Sequence, residues 1–414
     1  MFLKNISSIA FIFAIIVLLS SCNDKPTDIG AELLPSNADI KTLTSYDTTL
    51  LTGNVVYAGK IESHNRGVIH VGAFRDNSVS SILRYDRVPD SLSYLTENDI
   101  DSVILTIYPE RYALGDTVSG NYGFDIFKVD RRWSLDTTTW DSLFISPKNY
   151  WENQAIASYE GKITLADTMN PISIRLPKSL AVDWFRTVPM YDSVKKEMVD
   201  SIVPHWGIAL VPKPGTNVIH SFGSQNSPKN KYSVIRVHYR GKIPTDTIVY
   251  LYSALDKVFF KKNIENDGSI IVQNGANIWS KLQFDLSMIP PNAGIHKAQL
   301  DLHLDTVNSY HGNNKLDTVI QAILFKEKNE EKTIFYDYTA AKDPDSYLYR
   351  FPSLTSAIQK WNLEGGRGQL ILTPYSMVNL AYEMDKIVFY GPNHPDTSKR
   401  PVLKIIYSTI KSGK

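Results

Sequence analysis

The sequence predicts an all-β protein built from two tandem antiparallel sandwiches, and three observations carry that prediction. Short segments rich in Val, Ile, Tyr and Thr recur between clusters of Gly, Pro, Asn and Asp. Long helical periodicity is scarce, so the crossover helices that a parallel sheet requires are missing. One two-strand unit occurs twice. Its clearer copy runs from Trp279 to Asp305: Leu282 and Phe284 alternate with polar residues, Pro290 and Pro291 make a turn, and Ala298, Leu300, Leu302 and Leu304 line one face of a second strand. The earlier copy, Ser80 to Pro109, sets Leu83, Tyr85 and Asp86 against Leu282, Phe284 and Asp285. After a loop four residues longer, Ile100, Val103, Leu105 and Ile107 then repeat Ile295, Ala298, Leu300 and Leu302.

At the N-terminus, residues 1–21 read as a secretory presequence, with Lys4 at the start and an apolar run from Ile9 to Leu19 too short for an ordinary membrane span. Leu19-Ser20-Ser21-Cys22 resembles the bacterial lipobox, which implies acylation of Cys22 and a membrane tether through the N-terminal lipid. Cys22 is the only cysteine, so no disulfide forms and stability rests on packing. Residues 22–48 are mostly polar and are expected to be a flexible leash. Within them, Ile29-Gly30 and Leu33-Leu34-Pro35 resemble the segment that follows the lipid cysteine in lipoproteins of Bacteroidota type.

The chain has 414 residues, 43% of them hydrophobic, enough apolar side chain for more than one core. Lys and Arg number 44 against 43 for Asp and Glu, which leaves no long-range field to capture nucleic acid. Strands are expected near 54–57, 68–74, 82–85, 102–108, 124–129, 172–176, 207–211, 218–222 and 234–239. The first domain is therefore drawn at 49–243, the second at 244–408, with 409–414 as a tail. The closing strands repeat as well: Val234-Ile235-Arg236-Val237-His238-Tyr239 matches Val402-Leu403-Lys404-Ile405-Ile406-Tyr407, and Ile219, Phe222 and Gly223 match Ile387, Tyr390 and Gly391. Such strand series read as jelly-roll sandwiches.

Each copy holds one short helical segment expected to plug an end of its sandwich. Leu354, Ala357, Ile358 and Trp361 share a helical face in 353–361, and Leu180 and Trp184 play the same part in 179–185. Trp184 and Trp361 are thus core candidates. The first copy alone carries the segment 189–204, where the spacing of Tyr191, Val194 and Met198 suggests a small amphipathic turn or helix. The mixed-charge run 327–332 reads as a solvated hairpin tip.

Laid out in this way, the chain resembles tandem DNRLRE-type domains, jelly-roll modules related to carbohydrate-binding modules. The resemblance rests on Phe284-Asp285-Leu286-Ser287 with Ile289-Pro290, on Ala298, Leu300 and Leu302, on Ile358 and Trp361 followed by Gly368 and Leu370, and on Arg400-Pro401 with Leu403. In the first copy the spaced tryptophans of that pattern appear as Trp133 and Trp140, with the acidic residue shifted by one place; the second copy lacks them. The resemblance implies an extracellular, non-catalytic part of a surface lipoprotein on an outer membrane. A fold with many roles does not choose among ligands.

Catalytic patterns are not found in the sequence. There is no G-x-S-x-G elbow, no cysteine left after lipidation, no phosphate-binding glycine loop and no paired histidine spacing for a metal, so no catalytic residue, metal site or cofactor is assigned. Abundant carboxylates leave a polysaccharide-degrading enzyme as a remote reading, because two acids can converge from distant strands. For sugar binding, exposed rings flanked by planar polar groups are required. Tyr150 and Trp151, beside Asn149 and Asn153, form the best such group, with Tyr112 and Tyr122 flanking the preceding loop. The expected role is surface binding or adhesion with a glycan as ligand. The alternative is an assembly accessory that docks on another envelope protein.

Overall fold

The computed structural model describes residues 38–45, 50–58, 67–75, 77–86, 88–144, 150–163, 170–227, 231–240, 246–261, 264, 267–313, 316, 319–328, 331–375 and 383–410. The presequence and Cys22 lie outside them. Described residues form two eleven-stranded antiparallel sheet systems and one separate two-stranded sheet, so the fold is an all-β sandwich fold with few helices. Each segment expected as a strand is one: 68–74 and 172–176 keep the expected bounds, four are shifted by one or two residues at each end, and three are longer, as with Asn77–Asp86 around 82–85. No helix among the described residues is long and apolar enough to cross a membrane.

The duplication holds down to the register of the ladders. In the first copy the closing strand Val234–Arg240 pairs with Ile100–Ile107 through Ile235↔Leu105, Val237↔Val103 and Tyr239↔Ile100. In the second, Val402–Ile410 pairs with Gly294–His303 through Leu403↔Leu300, Ile405↔Ala298 and Tyr407↔Ile295. Both ladders slip at the same place, next to the Tyr239 and Tyr407 pairs. Since a one-residue slip would turn every inward side chain to solvent, matching registers mean matching cores.

The plug helices are equally parallel. Lys178–Phe185 buries Leu180, Ala181, Trp184 and Phe185, and Thr355–Leu363 buries Ala357, Ile358, Trp361 and Asn362. In each copy the helix tryptophan meets an aromatic ring of the opening strand: Trp184 lies 5.8 Å from Tyr85, and Trp361 stacks on Phe284 at 5.4 Å with an interplanar angle of 21°. Both tryptophans are core residues. The second helix is also tied to the turn before strand 294–303, because Asn362 Nδ2 donates to Pro290 O at 2.9 Å and Gln359 Oε1 accepts from Ile295 N at 2.8 Å. Gly365 and Gly366, at φ +105° and +78°, end it.

Strand pairing departs from the linear division at 243/244. Asp246–Phe260 pairs with Val234–Arg240 and with Asn77–Asp86, so this long strand completes the first sandwich rather than opening the second. The second sandwich receives the equivalent strands from the other end of the chain. Ala38–Thr44, within the stretch expected to be a leash, pairs with the closing strand Val402–Ile410, and Leu51–Ala58 pairs with Ile278–Asp285. The correspondence is close: Val249 and Thr247 lie opposite Val237 and Tyr239, as Leu43 and Lys41 lie opposite Ile405 and Tyr407. Linear order could not reveal this, because alternation marks a strand without naming its partner.

Two smaller features differ from or add to the sequence expectation. The 189–204 segment is a β-hairpin, Thr187–Asp192 against Glu197–Ile202, instead of a helical turn. Asp192 Oδ1 accepts from Val194 N and Lys195 N at 2.8 and 3.1 Å, and Lys196 takes φ +57°, which is turn chemistry that closes a hairpin. A short helix at Trp140–Phe144 was not expected. The 327–332 run does form a hairpin end, with Lys328 opposite Glu331.

Candidate functional site

Of the residues expected to bind a ligand, two are withdrawn from the surface. Tyr112 sits buried at the junction of the two sandwiches, where its Oη donates to Asp385 Oδ1 at 2.8 Å and accepts from Met384 N at 2.8 Å. Burial first, and the neighbouring Asp385 charge second, hold its hydroxyl well above the usual tyrosine range. Around it, Asn313 Oδ1 accepts from Ala113 N and Asn313 Nδ2 donates to Arg111 O, so hydrogen bonds at the rim of the junction also join the copies. Tyr122 is a core residue whose ring stands edge-on to His220 at 4.6 Å. Neither ring offers a face to a sugar.

The other ring pair belongs to a satellite aromatic cluster on the first sandwich. Trp151 is half-buried, 6.0 Å from Phe127 and 5.4 Å from Phe144, and Tyr150 lies 5.4 Å beneath the Arg131 guanidinium. Asn153 is exposed; Asn149 lies outside the described residues. Trp133 is buried with Nε1 donating to Trp206 O at 2.8 Å, while Trp140 stacks on Phe144 at 3.9 Å. Lys257, from the strand that completes this sandwich, donates to Thr138 O at 2.8 Å and to Leu135 O, fastening the segment between the two tryptophans. Tyr150, Trp151 and Trp140 are partly buried and pack against the buried members of this cluster.

A cleft of about 730 Å³ opens instead on the second sandwich, where strands 278–285 and 367–374 meet the end of the helix Thr355–Leu363. Its position follows from the ladder. Gln283 pairs with Gln369, Phe284 with Gly368 and Asp285 with Arg367. Alternation turns Phe284 inward onto Trp361 and leaves the pairs on either side, one of two amides and one of opposite charges, on the other face. Gly368 allows the indole to lie against the strand, since a Cβ there would come 2.0 Å from the Trp361 ring. Lys360 and Glu364, one helical turn apart, form an ion pair on the helical wall. Thr52 of the N-terminal strand completes the lining, its hydroxyl donating to Gln283 O at 3.2 Å.

Amide side chains and charges of both signs set the electrostatics of the cleft. Hydrogen bonds from Ser287 hold the Asp285 carboxyl below the usual range, with the Arg367 charge contributing less. A carboxylate held ionised in this way is a hydrogen-bond acceptor. Phe284 and Trp361 are almost fully buried, so the walls offer polar groups rather than an open ring face. Among the described residues no group of three or more His, Cys, Asp or Glu is placed to hold a metal ion.

Sequence reasoning placed Phe284 and Trp361 in the core but overlooked their polar neighbours. The available signal was the outward set Gln283, Asp285, Arg367 and Gln369 around a glycine turn. Its meaning depended on knowing that the two strands are neighbours. The chain matches no known family model and no curated protein.

Proposed function

We propose that this chain is a lipid-anchored envelope protein, held on an outer membrane by Cys22, that binds a glycan without transforming it. The observation that carries the reading is the cleft on the second sandwich, with paired amide and charged side chains at a size that accommodates a short run of sugar units. The lipobox-like Leu19-Ser20-Ser21-Cys22 supplies the anchor, and the resemblance to DNRLRE-type modules supports the ligand class. Soluble protein comprising residues 23–414, tested on a broad glycan array and on cell-wall polymers, is expected to bind at least one polysaccharide. Binding to none of them overturns the reading.

A second reading, docking on another envelope protein, is favoured by the hairpin Thr187–Ile202. It stands apart from both sandwich sheets and exposes Met190, Tyr191, Val194 and Met198. Cross-linking in the native membrane separates the readings: a stoichiometric protein partner attached through this hairpin supports docking.

A further inference from the structure

The charges of the cleft narrow the kind of glycan it can take. Two cations and two anions line it, Lys360 and Arg367 with Glu364 and Asp285. Each cation already has a carboxylate neighbour on the same framework. Lys360 is ion-paired with Glu364, and Arg367 faces Asp285 across the ladder. A uronate or sulfated sugar would have to compete with a fixed carboxylate for either cation, and would bring its own charge close to the other carboxylate. A cationic sugar meets the mirror-image difficulty. Hydroxyl groups meet none, because they donate and accept, and the cleft offers both functions side by side. Asp285 accepts, Arg367 donates, and the opposed amides of Gln283 and Gln369 do either.

We infer that the cleft of the second sandwich is selective for a neutral, hydroxyl-rich glycan, with Gln283, Gln369, Asp285 and Arg367 as its specificity-determining residues. This rests on the glycan-binding reading and assigns that site its ligand class. Two consequences distinguish it. Affinity is carried by hydrogen bonds from a neutral ligand to a charge-balanced lining, so it changes little with salt. Removing the carboxylate opposite Arg367 by Asp285→Asn should create the anion preference that the native cleft lacks, while asparagine can still accept from Ser287 N, which Asp285 Oδ1 does at 2.9 Å.

The test uses residues 23–414 with neutral probes (a linear β-glucan, a mannan and a xylan) and uronate probes (polygalacturonate and alginate), measured by calorimetry and affinity electrophoresis. At least one neutral polymer is expected to bind roughly tenfold or more tightly than either uronate, with less than about a twofold change between about 0.05 and 0.5 M salt. The double variant Gln283→Ala/Gln369→Ala should weaken that binding by about tenfold or more. Asp285→Asn should shift the ratio toward the uronates by about tenfold. Near-UV circular dichroism and Tm confirm that each variant is folded.

Tighter uronate binding that is lost in the double variant overturns the neutral selectivity while leaving the glycan-binding reading intact. Neutral binding unaffected by both variants overturns the assignment of the cleft. Absence of binding to every polymer overturns the glycan-binding reading itself.

Discussion

Gly368 and Trp361 show how one side chain fixes both core and cleft. The indole fills the end of the second sandwich, stacked on Phe284, and occupies the space that a side chain at position 368 would need. Gly368→Ala should therefore destabilise the protein by about 1–3 kcal/mol through overpacking, read as a lower midpoint in denaturant with an unchanged slope. No change in midpoint would mean that the indole is free to move. Histidines give a pH dependence. Burial pushes His220 down to about 4, and burial with the Arg84 charge does the same to His205, which stacks on Trp184 at 4.2 Å. Their ordinary value is about 6.5, so between pH 6.5 and 4 the unfolded chain binds more protons than the folded one. Stability should be complete above about pH 6.5, fall as pH drops toward 4, and level off below. For His220, almost fully buried, the loss is on the order of 3 kcal/mol; His205 is more accessible and contributes less. His220→Phe should flatten this slope in thermal unfolding measured from pH 7 to 4, and an unchanged slope would reject the assignment.

At the scale of elements, the plug helices and the 187–202 hairpin make opposite demands. Each helix seals a core through a tryptophan, and losing that contact should cost several kcal/mol, as large-to-small changes at buried aromatics do. The hairpin forms its own two-stranded sheet and exposes its large apolar side chains. Replacing residues 188–201 with a short Gly-Ser connection should leave the stability within about 1 kcal/mol, because surface changes away from core features rarely exceed that. A fall of several kcal/mol would show that the hairpin braces the first sandwich. The helices were legible from sequence because Leu354, Ala357, Ile358 and Trp361 recur with one period. The hairpin was misread because Tyr191, Val194 and Met198 have helix-like spacing, while the decisive interactions come from the Asp192 carboxylate in the turn.

For the whole molecule, the governing fact is how the second sandwich is closed. Its last described strand ends at Ile410, which pairs with Ala38 at the start of the N-terminal strand. In the first sandwich the equivalent strands, Val234–Arg240 and Asp246–Phe260, are consecutive in the chain, with Arg240 opposite Asp246. The strand that closes each sandwich is a large part of its core. Leu251, Val258 and Phe260 in one, and Leu50 and Leu51 beside the other, are buried in its core. At about 1.5–3 kcal/mol per buried side chain, either set rivals the net stability of a domain, about 5–15 kcal/mol. Cutting the chain at 243/244 should therefore give two halves that do not fold separately. By contrast, a permuted chain that begins at residue 59 and joins Ile410 to Ala38 through a five-residue connection copied from 241–245 should keep the native near-UV spectrum and cooperative unfolding. Loss of that spectrum would show that the direct N-terminal route is required for folding.

The sequence alone determined the repeated strands, their inward faces and the helix tryptophans, because these are local patterns of period 2 and 3.6. It also revealed the duplication, since Leu105 and Leu300 recur with their neighbours in matching order. Only the tertiary structure decided which strand lies beside which. That choice withdrew Tyr112 into the junction with Asp385, sent the strands Ala38–Thr44 and Leu51–Ala58 to the far sandwich, and brought Gln283 and Asp285 alongside Gln369 and Arg367. The physical reason is common to all three. Side-chain alternation specifies a face, whereas partner choice depends on the burial and hydrogen bonding of segments far apart in the chain, summed over the whole fold.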